Sequence, residues 1–228
     1  MKYKKRINRI EILDFDKVYH IYNKAVGNEN LFNSDNDYFF FIKKFNHYIL
    51  PLVNVYAYCL LPNHFHFLLR IKDNKKIISS KSNLTGSRQP VRLVSSQEPK
   101  KQQDFKMITE LKQIHQAFSN FFNSYSKSFN KIYGRSGKLF NLPFKRVLVD
   151  KEIYFTILIN YIHRNPIHHK FTDEYSSWKY SSYNSYLSKK PTNVEREEII
   201  ERFGTIQDFI IFHKENISYS KVERYLLE

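Results

Sequence analysis

Two histidines stand two residues apart in LLPNHFHFLLR, residues 60–70. On a strand, residues i and i+2 share a face and lie about 7 Å apart, so the imidazoles of His64 and His66 can converge on one divalent cation. Two imidazoles do not complete a coordination shell, and at least one further ligand is needed. The pair fits equally two polar side chains on a solvated strand face, and the stretch alone does not choose between zinc, magnesium and no metal. Cys59 is the only cysteine, which excludes an intrachain disulfide and a Cys-rich zinc site; it reads as a core residue.

A second group lies in NYIHRNPIHH, residues 160–169. Tyr161 and Asn165 are four apart and share one face of a helix. A phenol with a pKa near 10 is a poor nucleophile alone and a credible one beside a phosphate polarised by a metal. Asn165 offers a carboxamide oxygen as a further ligand. His163 points about 200° away from Tyr161 around the helix, which suits a structural role or a phosphate contact. In a chain with 17 tyrosines, the competing reading of Tyr161 is an ordinary core residue.

These residues need elements to hold them. Residues 17–26 read as a strand. A helix is expected over about 37–49, capped by Ser34 or Asn36, with Phe39, Phe40, Ile42, Phe45 and Ile49 as its buried side. Residues 53–60 and 65–71 read as an antiparallel hairpin. On its second strand Phe65, Phe67, Leu69 and Ile71 face the core, and His64, His66, Leu68 and Arg70 face outward. Residues 73–104 are polar, without apolar periodicity, and read as a flexible insert. Leu111, Ile114, Phe118, Phe121, Phe122, Tyr125 and Phe129 recur at helical spacing over 105–129. Residues 139–149 look extended. A helix capped by Asp150 runs over about 151–165 and should end before Pro166. One or two short helices are expected from about Val194 onward. The pattern implies an α+β fold with a central antiparallel sheet and helices packed on one face, for which a ferredoxin-like core is the simplest compact solution. The expected organisation is one domain over 1–191 and a short helical extension over 192–228.

The formal net charge is +15, and the segment from Thr192 to Glu228 has eight acidic and five basic residues, so the rest of the chain carries +18. A field of that sign favours a polyanion, nucleic acid before an acidic membrane surface. No apolar run of about 18 residues and no signal-peptide core is present, so a cytoplasmic protein without a membrane span is expected.

The sequence resembles the single-tyrosine HUH transposases, in particular the REP-associated tyrosine transposase branch. The resemblance is carried by YHIYNKAVGNENLF, YAYCLLPNHFHFLLR, GRSGKLFNLPFKR, YIHRNPIHHKF and SSWKYSSY, in that order, covering about residues 18–186. It implies a ferredoxin-like core, with His64 and His66 on the family's His-hydrophobic-His metal motif and Tyr161 at its nucleophile. Asn165 falls where the wider class often uses Gln as third metal ligand, with a shorter reach; His168 or His169 could assist. The implied activity is metal-dependent cleavage and strand transfer of single-stranded DNA flanked by hairpins. It uses Mg²⁺ or Mn²⁺ and passes through a 5′-phosphotyrosine and a free 3′-hydroxyl. A nucleoid-associated monomer or homodimer is the expected state. Arg70, Arg135, Lys138, Lys145 and Arg146 are the candidate phosphate contacts. Two other functions fit the same residues. One is a module that binds structured DNA or RNA without cutting it. The other is a metal-dependent phosphodiesterase that uses water, which would need carboxylates that LLPNHFHFLLR does not supply.

Overall fold

The computed structural model describes residues 10–73, 100–215 and 217–221. Its central elements are β1 (Val18–Lys24), α1 (Asp35–Tyr48), β2 (Val53–Leu61), β3 (His64–Ile71), α2 (Lys100–Ile132) and β4 (Lys145–Leu148). The strands form one sheet in the order β2-β3-β1-β4, antiparallel at each pairing. β1 and β2 therefore run parallel with β3 between them, the split β-α-β arrangement of a ferredoxin-like core.

The expected insert over 73–104 lies mostly outside the described residues, at 74–99. Residues 100–104 belong to α2, whose start precedes the expected one at Phe105. Lysine and glutamine are good helix formers, and no glycine or proline lies between Pro99 and Gly134 to interrupt them.

One face of the sheet packs on α1 and α2 through aromatic rings. Phe67 of β3 stacks on Phe45 of α1 at 4.4 Å between centroids, and Phe41 meets Phe121 of α2 at 4.8 Å. Ile114, Phe118, Phe121, Phe122, Tyr125 and Phe129 of α2 are buried, as their spacing predicts. The inward side of α1 differs from the expected one: Tyr38, Phe41 and Phe45 are buried, whereas Phe39 is 64% exposed. Three consecutive phenylalanines, Phe39 to Phe41, leave the phase of the helix open. Its start sets the phase: Asp37 Oδ2 accepts from the backbone N–H groups of Asn33 and Ser34, both at 2.9 Å.

The opposite face, which carries His64 and His66, is also covered. α3 (Glu152–His168) lies across it, with Phe155 against Tyr56 of β2 at 4.9 Å and Leu158 and Ile162 fully buried. The expectation of helices on one face only is thus corrected. Polar residues at alternate positions of β3 mimic a solvated face, but α3 is apolar enough to lie on it. Pro166 does not end α3, which continues to His168. Proline removes one intrahelical donor, and here that loss falls in the last turn. The Asn165 side chain donates to the Tyr161 carbonyl at 2.8 Å and adds a bond within that turn. Lys151 rather than Asp150 is the N-cap residue.

Beyond α3 come α4 (Tyr183–Leu187), α5 (Arg196–Phe203) and α6 (Ile206–Lys214). The segment SSWKYSSY and its sequel strap the outer edge of β2. Leu60 N–H donates to the Tyr180 carbonyl (3.0 Å), Tyr58 N–H to Ser182 Oγ (2.9 Å), and Glu195 N–H to the Val55 carbonyl (2.9 Å). A bare edge strand invites pairing with another chain, and this strap occupies it. No helix among the described residues is long and apolar enough to cross a membrane.

Candidate active site

Strand register brings the histidines together. On the α3-facing side, β1 places Lys24 opposite His64, Tyr22 opposite His66 and His20 opposite Leu68. His20 and His66 are therefore diagonal neighbours, and His20 Nε2 lies 3.0 Å from His66 Nδ1. The His64 and His66 rings are 5.2 Å apart and perpendicular. His64 Nδ1 lies 2.7 Å from Asn63 Oδ1. An amide oxygen only accepts, so His64 carries its proton on Nδ1 and bears a lone pair on Nε2.

The pair is buried, not outward: His64 is 5% exposed and His66 0%. α3 covers the rings. Burial pushes the His64 pKa down to about 4, helped by the nearby His169 and Lys24 and opposed by an interaction with the Asn165 side chain. Burial, with His20, His64 and His169 around it, pushes His66 well below the ordinary imidazole value. Both rings are thus neutral, the state a metal ligand requires. His64 Nε2 and His66 Nε2 are buried and have no hydrogen-bond partner. Buried polar atoms are otherwise paired almost without exception, and each orphan calls for an explanation.

α3 sets Tyr161 and Asn165 against this pair. The Tyr161 ring stands edge-on to His66 (centroids 5.6 Å) and to His20 (6.2 Å). One turn on, Asn165 is buried, its amide nitrogen tied to the Tyr161 carbonyl and its side chain acting on His64. His169 closes the far side, its ring 5.0 Å from that of His64, whereas His168 touches His169 and not the pair. His64, His66, Tyr161 and Asn165, far apart in the chain, thus meet in one place.

His163 is structural. It is fully buried on the other side of α3, with Nδ1 2.9 Å from His213 Nε2 and Nε2 2.8 Å from Ser182 Oγ. His213 Nδ1 donates to the Phe209 carbonyl at 2.7 Å. Protons can be assigned in one direction along this chain: Ser182 to His163, His163 to His213, His213 to Phe209. Every ring nitrogen is satisfied. The contrast with His64 and His66 is physical: among the described residues, these are the two rings whose buried nitrogens are left without a partner.

The five candidate phosphate contacts are dispersed. Lys145 lies opposite Tyr22, in the same cross-strand row as His66 and on the same face. Arg70 shares that face four residues along β3, where it pairs with Glu198 at 3.3 Å. Arg146 lies opposite Ile21, on the other face; its guanidinium sits over the Phe144 ring at 4.8 Å and bonds the Glu11 carbonyl. Arg135 pairs with Glu29 and also bonds Asn130. Lys138 is exposed in the same loop. The sequence reading missed His20 and Lys24; strand alternation from Tyr22 was the available signal for both.

Among the described residues, no group of three or more His, Cys, Asp or Glu side chains is placed to hold a metal ion. Cys59 is buried, and burial holds its thiol well above the usual pKa, so it is not a thiolate ligand. The donors left are two imidazole nitrogens and the Asn165 carboxamide. The orphaned lone pairs of the two imidazoles fit a cation, and nitrogen with neutral oxygen suits Mn²⁺ better than Mg²⁺.

No family model matches the chain, and no curated protein matches it. One solved structure, described as the REP-associated tyrosine transposase bound to a REP hairpin, is similar to it with a TM-score of 0.47. The match has 12% sequence identity over 84% of this chain and 88% of that one.

Proposed function

We propose that this protein cleaves and rejoins single-stranded DNA with Tyr161 as nucleophile. The observation that carries this reading is the Tyr161 ring standing edge-on to His66, one of two neighbouring neutral histidines whose Nε2 atoms are buried and without a hydrogen-bond partner. The motifs shared with the single-tyrosine HUH transposases supply the substrate class, single strands beside hairpins.

His64, His66 and the Asn165 carboxamide would hold the cation, Mn²⁺ or Mg²⁺. When bound, it supplies charge neutralisation and polarisation of a phosphate. Tyr161 attacks phosphorus, a tyrosine–phosphate bond forms, and the bond to the 3′ oxygen breaks. The phenolic proton lost is balanced by the proton gained at the departing 3′-hydroxyl. Attack by a 3′-hydroxyl reverses the step and reseals or transfers the strand. α3 excludes water from the His66 side of the site and keeps Tyr161 on a rigid element. Lys145 and Lys24, on the same sheet face as His66, supply positive charge for the backbone.

A second reading is binding of structured nucleic acid without cleavage. The lack, among the described residues, of a third His, Cys, Asp or Glu ligand favours it. End-labelled hairpin oligonucleotides with Mn²⁺ separate the two. Cleavage leaves the fragment downstream of the cut on the protein through its 5′ phosphate and releases a free 3′-hydroxyl. Tight hairpin binding with intact oligonucleotide supports the second reading.

A further inference from the structure

We infer that His20 is a positioning residue that fixes His66 with its proton on Nδ1 and its Nε2 lone pair open. His20 Nε2 lies 3.0 Å from His66 Nδ1, and both rings are fully buried. Two imidazole nitrogens at that separation share one proton, so either His66 or His20 donates. If His20 donated, His66 would carry its proton on Nε2. That N–H would be buried with no acceptor, because His66 Nε2 has no partner. Either state leaves His66 Nε2 without a protein partner at a cost of about 1–3 kcal/mol, and only the lone pair can be relieved by a cation. If His66 donates, its Nε2 presents a lone pair beside the His64 Nε2 lone pair, which Asn63 fixes in the same way from Nδ1.

The two rings thus have matching supports. Asn63 Oδ1 stands behind His64 and His20 Nε2 behind His66, each accepting the Nδ1 proton and aiming Nε2 away. A partner of that kind orients a metal-binding imidazole and sets its tautomer. Register supplies this support: with Tyr22 directly opposite His66, the residue two positions earlier on β1 falls diagonally against it. The contact between the two rings stands on the geometry, and the direction of its proton and the consequence for metal binding rest on the function proposed above.

Ring-nitrogen NMR of the metal-free wild-type protein tests the assignment, with the His66 signals identified by their loss in His66→Gln. The expected spectrum shows protonated Nδ1 and unprotonated Nε2 on His66. His20→Leu should move the His66 proton towards Nε2 and weaken Mn²⁺ binding about 10- to 100-fold. His20→Gln, which returns an acceptor at similar reach, should restore most of both. Protonated Nε2 on His66 in wild type overturns the inference. So does a folded His20→Leu protein with the wild-type tautomer and Mn²⁺ affinity. Wild-type protein with the expected tautomer and no Mn²⁺ binding supports the His20 assignment and contradicts the metal reading instead.

Discussion

The Tyr161 ring stands edge-on to the His66 imidazole, their centroids 5.6 Å apart across the interface between α3 and the sheet. His66 lies in the second strand of a hairpin and Tyr161 in a helix that follows the whole ferredoxin-like core. Their meeting places the ring of the proposed nucleophile beside one of two buried, unpartnered ring nitrogens.

His64→Leu should abolish Mn²⁺ binding while leaving the metal-free protein as stable as wild type or up to about 2 kcal/mol more so. The substitution removes a buried nitrogen without a hydrogen-bond partner; of the groups it leaves behind, Asn63 is exposed and can turn to water, and Asn165 keeps its bond to the Tyr161 carbonyl. Calorimetric Mn²⁺ titration and urea unfolding of the same sample check both halves. A large loss of stability would show that His64 holds the fold.

His163→Leu should do the reverse. It strips partners from Ser182 Oγ and His213 Nε2 in a fully buried chain. The expected cost is about 2–5 kcal/mol of stability, with Mn²⁺ affinity unchanged in protein that remains folded. Reduced metal affinity in such protein would tie His163 to the site.

Stability should fall on acidification from about pH 6.5 to about pH 4. Burial holds the folded-state pKa of His64 and of His213 at about 4, against 6.5 when exposed. Within that window the unfolded chain binds more protons than the folded one, so unfolding becomes easier as pH drops. Each ring accounts for roughly 3 kcal/mol by pH 4. Urea midpoints across that range should shift downward, and His64→Leu should flatten the curve. A pH-independent midpoint would contradict the burial of these rings.

Lys145→Ala should weaken hairpin DNA binding across sequences and lower the salt slope by about one. Arg135→Ala should instead loosen the loop that its pairs with Glu29 and Asn130 hold. Binding measured over a range of salt, beside thermal melts, separates the two effects.

Much of the frame was legible because its signals are long or local. The buried row of α2 repeats at helical spacing from Ile114 to Phe129, and the β2–β3 hairpin is bounded by Pro62 and Asn63. Three consecutive phenylalanines hid the phase of α1. Pro166 sits too near the end of α3 to stop it. The polar alternation of His64 and His66 concealed a covered face, since what covers it is α3. His20 went unseen because its meaning lies in a diagonal contact between strands. The strap from Tyr180 to Glu195 finds its partners on β2, where no local pattern announces them.

In the proposed reaction Tyr161 forms the covalent link. Wild-type protein and Tyr161→Phe should be incubated with hairpin-flanked single-stranded DNA and Mn²⁺ or Mg²⁺, denatured, and the adduct mapped by mass spectrometry. The account predicts a denaturation-resistant adduct on the peptide containing Tyr161 in wild type, and none in a Tyr161→Phe protein that folds and binds Mn²⁺ normally. Wild-type protein that binds the hairpin yet forms no adduct, or a Tyr161→Phe protein that still forms one, would contradict it.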